Sequence, residues 1–355
     1  SETYHQKARR DTGKRGGDMQ YITDLKGMNG IAFCLDDERL NEKLILCRKR
    51  LKDSASYELN ADTVLLDSYH SATIEGARTT IESVKKSINA PKSKSDIMVI
   101  NNMKALDKVY AGFCIDDSSI RGLWDIIVDG VCENAGVIGT KYRNGEVYIS
   151  SLERVVHIPA PYTEIDFYMS SLFEFMNHTD LDVIYKSILS HFYFVYIHPF
   201  CDGNGRTARI LQNYCLYRGG YEGVRKIRIS QSVNMHLGAY YKVLESAEKP
   251  VVSDNHLMLD LTAFTDYMLD RIIEACNLSD KKQYRLSEWE RRLLVRMSKR
   301  GIGAEITAAN AAAVMDVSLD AAEKILNELT EKQYLFKMET DGKNKNLYKL
   351  LILIS

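Results

Sequence analysis

The chain has 355 residues, with 47 Lys and Arg against 48 Asp and Glu, a formal charge of −1. That length allows two or three domains with full cores, and the balanced charge excludes a global basic field able to hold a polyanion. No apolar run approaches the ~18 residues a membrane span requires, the longest being Phe192 to Ile197, so a soluble protein with no membrane partner is expected. The stretch from Ser1 to Arg10 lacks an apolar signal core. Seven cysteines, an odd number without CxxC pairing or paired zinc spacing, read as free thiols in a reducing compartment, and a cytoplasmic location follows.

Five prolines and long stretches of 3.6-residue apolar spacing predict a mainly α protein. Residues 1 to 30 mix charges with Gly13, Gly16, Gly17, Gly27 and Gly30 and read as a flexible leader. Residues 31 to 115 form a set of N-terminal helices. Asp36 or Asp37 caps the first, which runs to about Lys52 with Leu40, Leu44, Leu46 and Cys47 inward; others cover Asp62 to Thr73 and Asp96 to Phe113. The main core, 116 to 278, opens with Ser118 to Glu133. Then Asn144-Gly145 falls between two β-prone arms, the strongest short-range hairpin signal, because a type I′ turn needs positive φ at both central residues. Helices resume at Thr163 to Met176 and at Leu181 to Ile197, the latter apolar almost all round and therefore central. After a polar loop, His198 to Gly205, a helix from near Arg206 stops at Gly219-Gly220; two more span Ser232 to Glu248 and His256 to Cys276. Ser279 to Arg285 reads as a charged linker. Residues 286 to 355 predict a C-terminal winged helix-turn-helix-like domain: helices over Leu286 to Lys299, Ala308 to Met315 and Leu319 to Leu329, then strands Tyr334 to Glu339 and Asn346 to Leu351 around Asp341-Gly342.

The loop after the central helix reads His198-Pro199-Phe200-Cys201-Asp202-Gly203-Asn204-Gly205-Arg206-Thr207-Ala208-Arg209. Glycines flanking an asparagine let backbone amides turn inward, and the helix starting there points its positive end at whatever binds, an arrangement suited to phosphate. Arg206 and Arg209 lie on neighbouring sides of the first turn, where both guanidinium groups can close on phosphate oxygens. Asp202 suits a Mg²⁺ bridging two phosphates, His198 is the nearby side chain able to take a proton at neutral pH, and Phe200 is a core peg.

These residues resemble the signature of the Fic domain family, HxFx[D/E]GNGRxxR, at every specified position; eight fixed residue types coincide by chance on the order of 10⁻⁸ times in a chain this long. The resemblance extends from about residue 60 to 275 and includes Gly139 to Arg143 and the run His157-Ile158-Pro159-Ala160-Pro161. It implies a Fic-type helical core with a β-hairpin flap, and transfer of AMP from ATP to a Ser, Thr or Tyr hydroxyl of a protein, itself included, with loss of pyrophosphate. It carries the base onto His198, the Mg²⁺ ligand onto Asp202, the anion nest onto Gly203, Asn204 and Gly205, and phosphate contacts onto Arg206 and Arg209. The target-docking flap becomes Thr140 to Ile149, with Thr140, Lys141, Tyr142, Arg143, Val147, Tyr148 and Ile149 pairing with the target.

Upstream, Ser71-Ala72-Thr73-Ile74-Glu75-Gly76 fits the family's inhibitory pattern [S/T]xxx[E/D][G/N]. The pattern alone recurs by chance about 0.5 times in this length, but it falls at the end of a predicted helix N-terminal to the core, where the class with an N-terminal inhibitory helix has it. Ser71 and Glu75 share a face, and a carboxylate on Arg209 takes the guanidinium that the γ-phosphate needs. Tyr240 and Tyr241 are candidates for the adenine, against the alternative of core tyrosines. His157, His178 and His191 lack ligand-spaced partners and read as structural or exposed. From Lys281 onward 14 basic residues stand against 10 acidic ones, yet the third helix carries Asp320, Glu323 and Glu328 with only Lys324, a face that repels DNA phosphate. A module packing on the core, a homodimer surface or a target-recruiting module is as consistent, while Lys343, Lys345 and Lys349 keep DNA open. The alternatives to AMP transfer are a DNA-binding regulator with a nucleotide-sensing core, a Fic enzyme transferring UMP, phosphocholine or the γ-phosphate, and AMP removal through Glu75.

Overall fold

The structure is a computed structural model and describes residues 19–57, 62–132, 142–151, 154–253, 256–280, 286–300, 304–331, 334–338 and 346–350. The chain divides into two units between Ala275 and Cys276, and mainly helical architecture dominates both.

In the first unit, α1 (Asp37–Asp53) is capped by Asp36, whose carboxylate accepts from the Arg39 N–H. Helices α2 (Thr63–Ile74), α3 (Ile81–Ser87), α4 (Lys94–Gly112) and α5 (Asp117–Val128) follow, then α6 (Ile165–His178), α7 (Val183–Ile197), α8 (Asn204–Arg218), α9 (Ile229–Met235), α10 (Leu237–Ala247) and α11 (Thr262–Ser279). Helix α7 is buried on nearly every side, as its all-round apolar sequence requires, and packs against α8 and α6. Leu46 is 43% exposed on α1, so the inward stripe is Leu40, Leu44, Cys47 and Leu51.

Strands β1 (Met19–Ile22) and β2 (Ala32–Asp36) join β5 (Val251–Ser253) and β6 (His256–Asp260) in a sheet of order β1-β2-β6-β5. Of the expected leader, residues 19 to 30 belong to the fold, and 1 to 18 lie outside the described residues. The cause is aromatic burial. Phe33 on β2 meets Phe192, Tyr193 and Tyr196 of α7 edge-on at 5.6–6.3 Å, while the Tyr193 hydroxyl donates to the Lys26 carbonyl and Tyr196 accepts from the Met28 N–H. Burying a side chain such as Phe33 stabilises by about 1.5–3 kcal/mol, which outweighs the weak local propensity of a short strand.

Two predicted helices are also redrawn. His256 to Asp260 is strand β6, with the helix beginning only at Thr262. Ser232 to Glu248 breaks at His236, whose φ of −118° and ψ of 37° leave the helical region while its ring meets Glu274 at 3.2 Å.

The expected hairpin is shifted. The paired strands are β3 (Ile149–Ser151) and β4 (Arg154–His157), antiparallel with Ile149 opposite His157. Neither Asn144 nor Gly145 has positive φ, and Tyr142, Arg143, Val147 and Tyr148 lie in no strand; Thr140 and Lys141 lie outside the described residues. Arg143 explains the shift. Its N–H donates to the Pro199 carbonyl at 2.9 Å, and its guanidinium donates to the carbonyls of His198, Gly145 and Ala160, so this arm is fastened to the loop after α7 instead of pairing with its own neighbour.

The second unit runs helix α12 (Glu288–Ser298), strand β7 (Glu305–Thr307), helices α13 (Ala308–Met315) and α14 (Leu319–Glu331), then strands β8 (Leu335–Met338) and β9 (Leu347–Leu350), with β9 in the middle of the sheet. Ser287 and Glu290 form a capping box on α12. Leu293, Leu294, Ala311, Leu326, Leu329 and Tyr348 form its core.

Candidate active site

Helix α7 ends at His198, which adopts φ 52° and ψ 59° and closes the helix with its N–H on the Phe194 carbonyl at 3.0 Å. A left-handed histidine is held only when its surroundings fix it. Here Arg143 does so through the His198 carbonyl at 2.8 Å. Two residues on, the fully buried Phe200 stacks on Trp124 of α5, with ring centroids 4.6 Å apart, and the Trp124 indole donates to the Asp202 carbonyl at 2.8 Å.

Asn204 closes the loop on itself. Its Oδ1 accepts from the Phe200 N–H at 3.0 Å and its Nδ2 donates to the Phe200 carbonyl at 2.8 Å, so this side chain shapes the expected anion nest and leaves the backbone to meet a ligand. Gly203 supplies the bend at φ 80°, where a Cβ would also press on Ile127 and Val128 at 3.1–3.2 Å. The first N–H groups of α8 then have no partner within the helix, as at any helix start.

The two motif arginines have different surroundings. Arg206 is fully buried, donating to the Ile127 carbonyl at 3.0 Å and to Asp202 Oδ2 at 3.3 Å; the residue expected to contact phosphate also anchors the loop. Arg209, 3% exposed, donates from Nε to Ser71 Oγ at 2.9 Å and from Nη2 to the Ser71 carbonyl at 2.9 Å and Glu75 Oε1 at 2.8 Å, while its buried Nη1 has no hydrogen-bond partner among the described residues. Burial works against the Arg209 charge, but the Glu75 carboxylate outweighs it and holds the guanidinium above its usual range.

Gly76 has a backbone reason for being where it is. At φ +86° it ends α2 in a Schellman motif, its N–H on the Thr73 carbonyl at 3.0 Å and the Ala77 N–H on the Ala72 carbonyl at 3.0 Å. That turn fixes Glu75 as the last capping residue, and the carboxylate reaches α8 so closely that a Cβ on Gly205 would stand 2.1 Å from Glu75 Oε1. A negative charge thus already lies against the start of α8.

His198 and Glu75 line one cleft of about 560 Å³, together with Ile149, His157, Gly205 and Tyr241. Burial lowers the His198 imidazole to about 4; His157 pushes the same way and the Val195 backbone pushes back. The ring is therefore neutral at physiological pH. Tyr240 lines the cleft, while its hydroxyl, with the residue 2% exposed, lies 2.9 Å from His191 Nε2. Tyr241, half exposed, donates to the Ile74 carbonyl at 3.2 Å and so ties α10 to the end of α2.

Three contributors escape the motif reading. Trp124 and Arg143 brace the loop, and His157, expected to be merely structural or exposed, stands at the cleft with its ring centroid 6.4 Å from that of His198. Its place in the His157-Ile158-Pro159-Ala160-Pro161 run was the available signal. His191 is buried and His178 is exposed beside Glu174 at 3.8 Å.

Among the described residues no group of three or more His, Cys, Asp or Glu side chains could hold a metal ion, and no helix is long and apolar enough to cross a membrane. Asp202 stands as a single carboxylate, 49% exposed at its side chain, with Oδ1 taking the Gly203 N–H at 2.6 Å. One carboxylate completed by substrate phosphates and water is a usual Mg²⁺ arrangement, so Asp202 fits a metal brought with a nucleotide. Sγ of Cys132 and Cys201 lie 3.8 Å apart as free thiols.

The helical scaffold thus brings His198, the glycine-rich start of α8 and Glu75, the partner of Arg209, to one cleft. Residues 115–216 match the Fic/DOC family model, and the chain carries a Fic domain there. Over 167 residues it is 28% identical to a protein adenylyltransferase Fic of Nematostella vectensis, an alignment covering 44% of this chain and 38% of that protein. The chain thus spans less than half the length of this curated relative. In three dimensions it resembles a Fic family protein from Desulfovibrio desulfuricans G20, with TM-score 0.59 at 19% identity over 88% of this chain and 95% of the other. It also resembles Fic-1 of C. elegans, with TM-score 0.54 at 19% identity over 68% and 71% of the two chains.

Proposed function

We propose that the protein is an autoinhibited protein adenylyltransferase that moves AMP from ATP to a Ser, Thr or Tyr hydroxyl of a protein target, itself included. The observation that carries this reading is the Glu75 carboxylate, held on Arg209 at 2.8 Å and lying against Gly205 beside the neutral His198. In the proposed reaction His198 takes the hydroxyl proton on the ring nitrogen other than its buried Nδ1. The hydroxyl oxygen bonds to the α-phosphorus, the bond from that phosphorus to the bridging oxygen breaks, and pyrophosphate departs. Backbone N–H groups at the start of α8 receive phosphate oxygens, and Arg209 receives the γ-phosphate once Glu75 has left it. Asp202 would hold Mg²⁺, which when bound draws charge from the phosphates.

While Glu75 stays, Arg209 is engaged and the nucleotide settles with its α-phosphate out of line. The strand pair β3 and β4 is the candidate docking flap, with Ile149 at the cleft. In the second unit the helix–strand–helix–helix–hairpin order supports a winged-helix-like reading, and exposed Asp320, Glu323 and Lys324 on α14 favour a protein-facing role over DNA.

Mass spectrometry after incubation with ATP and Mg²⁺, with and without a lysate, tests the reading. Added adenylate on the protein or its partners is expected. A mass corresponding to UMP, phosphocholine or phosphate from the matching donor, loss of AMP from a modified protein, or duplex DNA binding without any mass change would replace it by another reading.

A further inference from the structure

His157 occupies a junction that neither the motif nor the proposed reaction uses. As the last residue of β4 it pairs with Ile149 at the start of β3. Its Nε2 lies 3.0 Å from the Tyr196 carbonyl in the final turn of α7, two residues before His198. Its Nδ1 lies 2.5 Å from Oε2 of Glu248, the residue that caps α10. Flap strand, catalytic helix and cleft-lining helix thus meet on one imidazole, which is 7% exposed.

The two partners fix its protonation. A carbonyl and a carboxylate are both acceptors, whereas a neutral imidazole offers a single N–H. One nitrogen would face an acceptor with no proton between them unless the pair holds an extra one. Imidazole is the stronger base of the two, at ~6.5 against ~4.3 for a glutamate, so that proton belongs on the ring. The geometry points to His157 as a positioning residue for His198, an imidazolium with Glu248 as counter-ion that locks β4 to the end of α7 and, from 6.4 Å away, disfavours a second positive charge on the neighbouring ring.

This inference rests on the reading of His198 as the proton acceptor. Its consequence is a bias, added to that of burial, against protonation of the acceptor. The other charged groups around His198 are Arg143, which disfavours its protonation, and Asp202, which favours it; Glu75, Lys242, Glu245 and Glu248 line the same cleft. The proposed effect is the part of this field that vanishes when His157 is neutral.

Histidine-selective ¹⁵N NMR on the full chain without nucleotide tests it, comparing wild type with His157→Gln and Glu248→Gln. In the wild type at pH 7 both His157 ring nitrogens should carry protons, while His198 carries one. In each variant the His198 titration midpoint should rise by about one pH unit, a roughly tenfold gain in proton affinity. A singly protonated His157 in the wild type, or a His198 midpoint unmoved in the variants, overturns the inference. Should either variant fail to fold, the wild-type ring protonation and the remaining variant decide. A wild type that transfers no AMP yet shows the expected titrations would overturn the proposed activity and leave this inference standing.

Discussion

His198, the base of the proposed reaction, carries an unusual backbone cost. Its φ of 52° is of the sort that costs about 1–3 kcal/mol outside glycine, and Arg143 and the Phe194 carbonyl hold it there. Because the ring is no part of that clamp, His198→Ala should keep the fold and still bind ATP while transfer falls by roughly 10²–10⁴. Radiolabelled AMP incorporation together with calorimetric ATP binding checks both halves; a variant that labels itself at the wild-type rate would remove the base from the mechanism. Neighbouring residue types were readable in sequence because each answers a local need: Gly203 a positive φ, Gly76 a helix stop, Phe200 a peg under the loop. The second task of Arg206, anchoring the loop, was not legible because spacing reveals which side of a helix a residue occupies but not which carbonyl waits beneath it; here Ile127 does.

At the scale of elements, α7 and α8 are joined through a buried polar chain. His191 Nδ1 lies 2.7 Å from Gln212 Oε1 and Nε2 2.9 Å from the Tyr240 hydroxyl, an arrangement that suits a neutral ring donating at one nitrogen and accepting at the other. Burial, with Arg209 adding to it, lowers His191 to about 3. In the unfolded chain the ring takes a proton near pH ~6.5, so between those values the unfolded state binds more protons. The stabilising contribution is complete above the unfolded value and is lost as pH falls toward the folded one. Thermal unfolding followed from pH 7 downward should therefore lose stability faster in wild type than in His191→Gln, by up to about 1.4 kcal/mol per pH unit; parallel curves would contradict this. The long helices were legible because their apolar stripes repeat over several turns. Strands β1, β2, β5 and β6 were not, since three to five residues are too few for alternation to stand out, and β2 is held by Phe33 against α7 rather than by its own pattern. The hairpin signal at Asn144-Gly145 was overridden by Arg143, a tertiary contact invisible to turn chemistry.

For the whole molecule, a formal charge of −1 over 355 residues suits protein partners better than nucleic acid. Fluorescence polarisation with a labelled DNA duplex at physiological salt should give no saturable binding, and saturable, salt-sensitive binding would restore the DNA reading of the second unit. The central claim is that Glu75 restrains a competent enzyme, and Glu75→Gly tests it most directly because the two readings of that residue have opposite signs. A residue that only caps α2 would leave activity unchanged or lower it by fraying the helix, at about 1 kcal/mol. A clamp on Arg209 is a charge-assisted bond of about 1.5–3 kcal/mol, so releasing it should raise transfer roughly tenfold or more. The gain should disappear in Glu75→Gly with Arg209→Ala, since the two changes act on one contact. AMP incorporation at equal ATP and Mg²⁺ is the measurement: the account predicts more label on Glu75→Gly than on wild type, and equal or lower incorporation would contradict it.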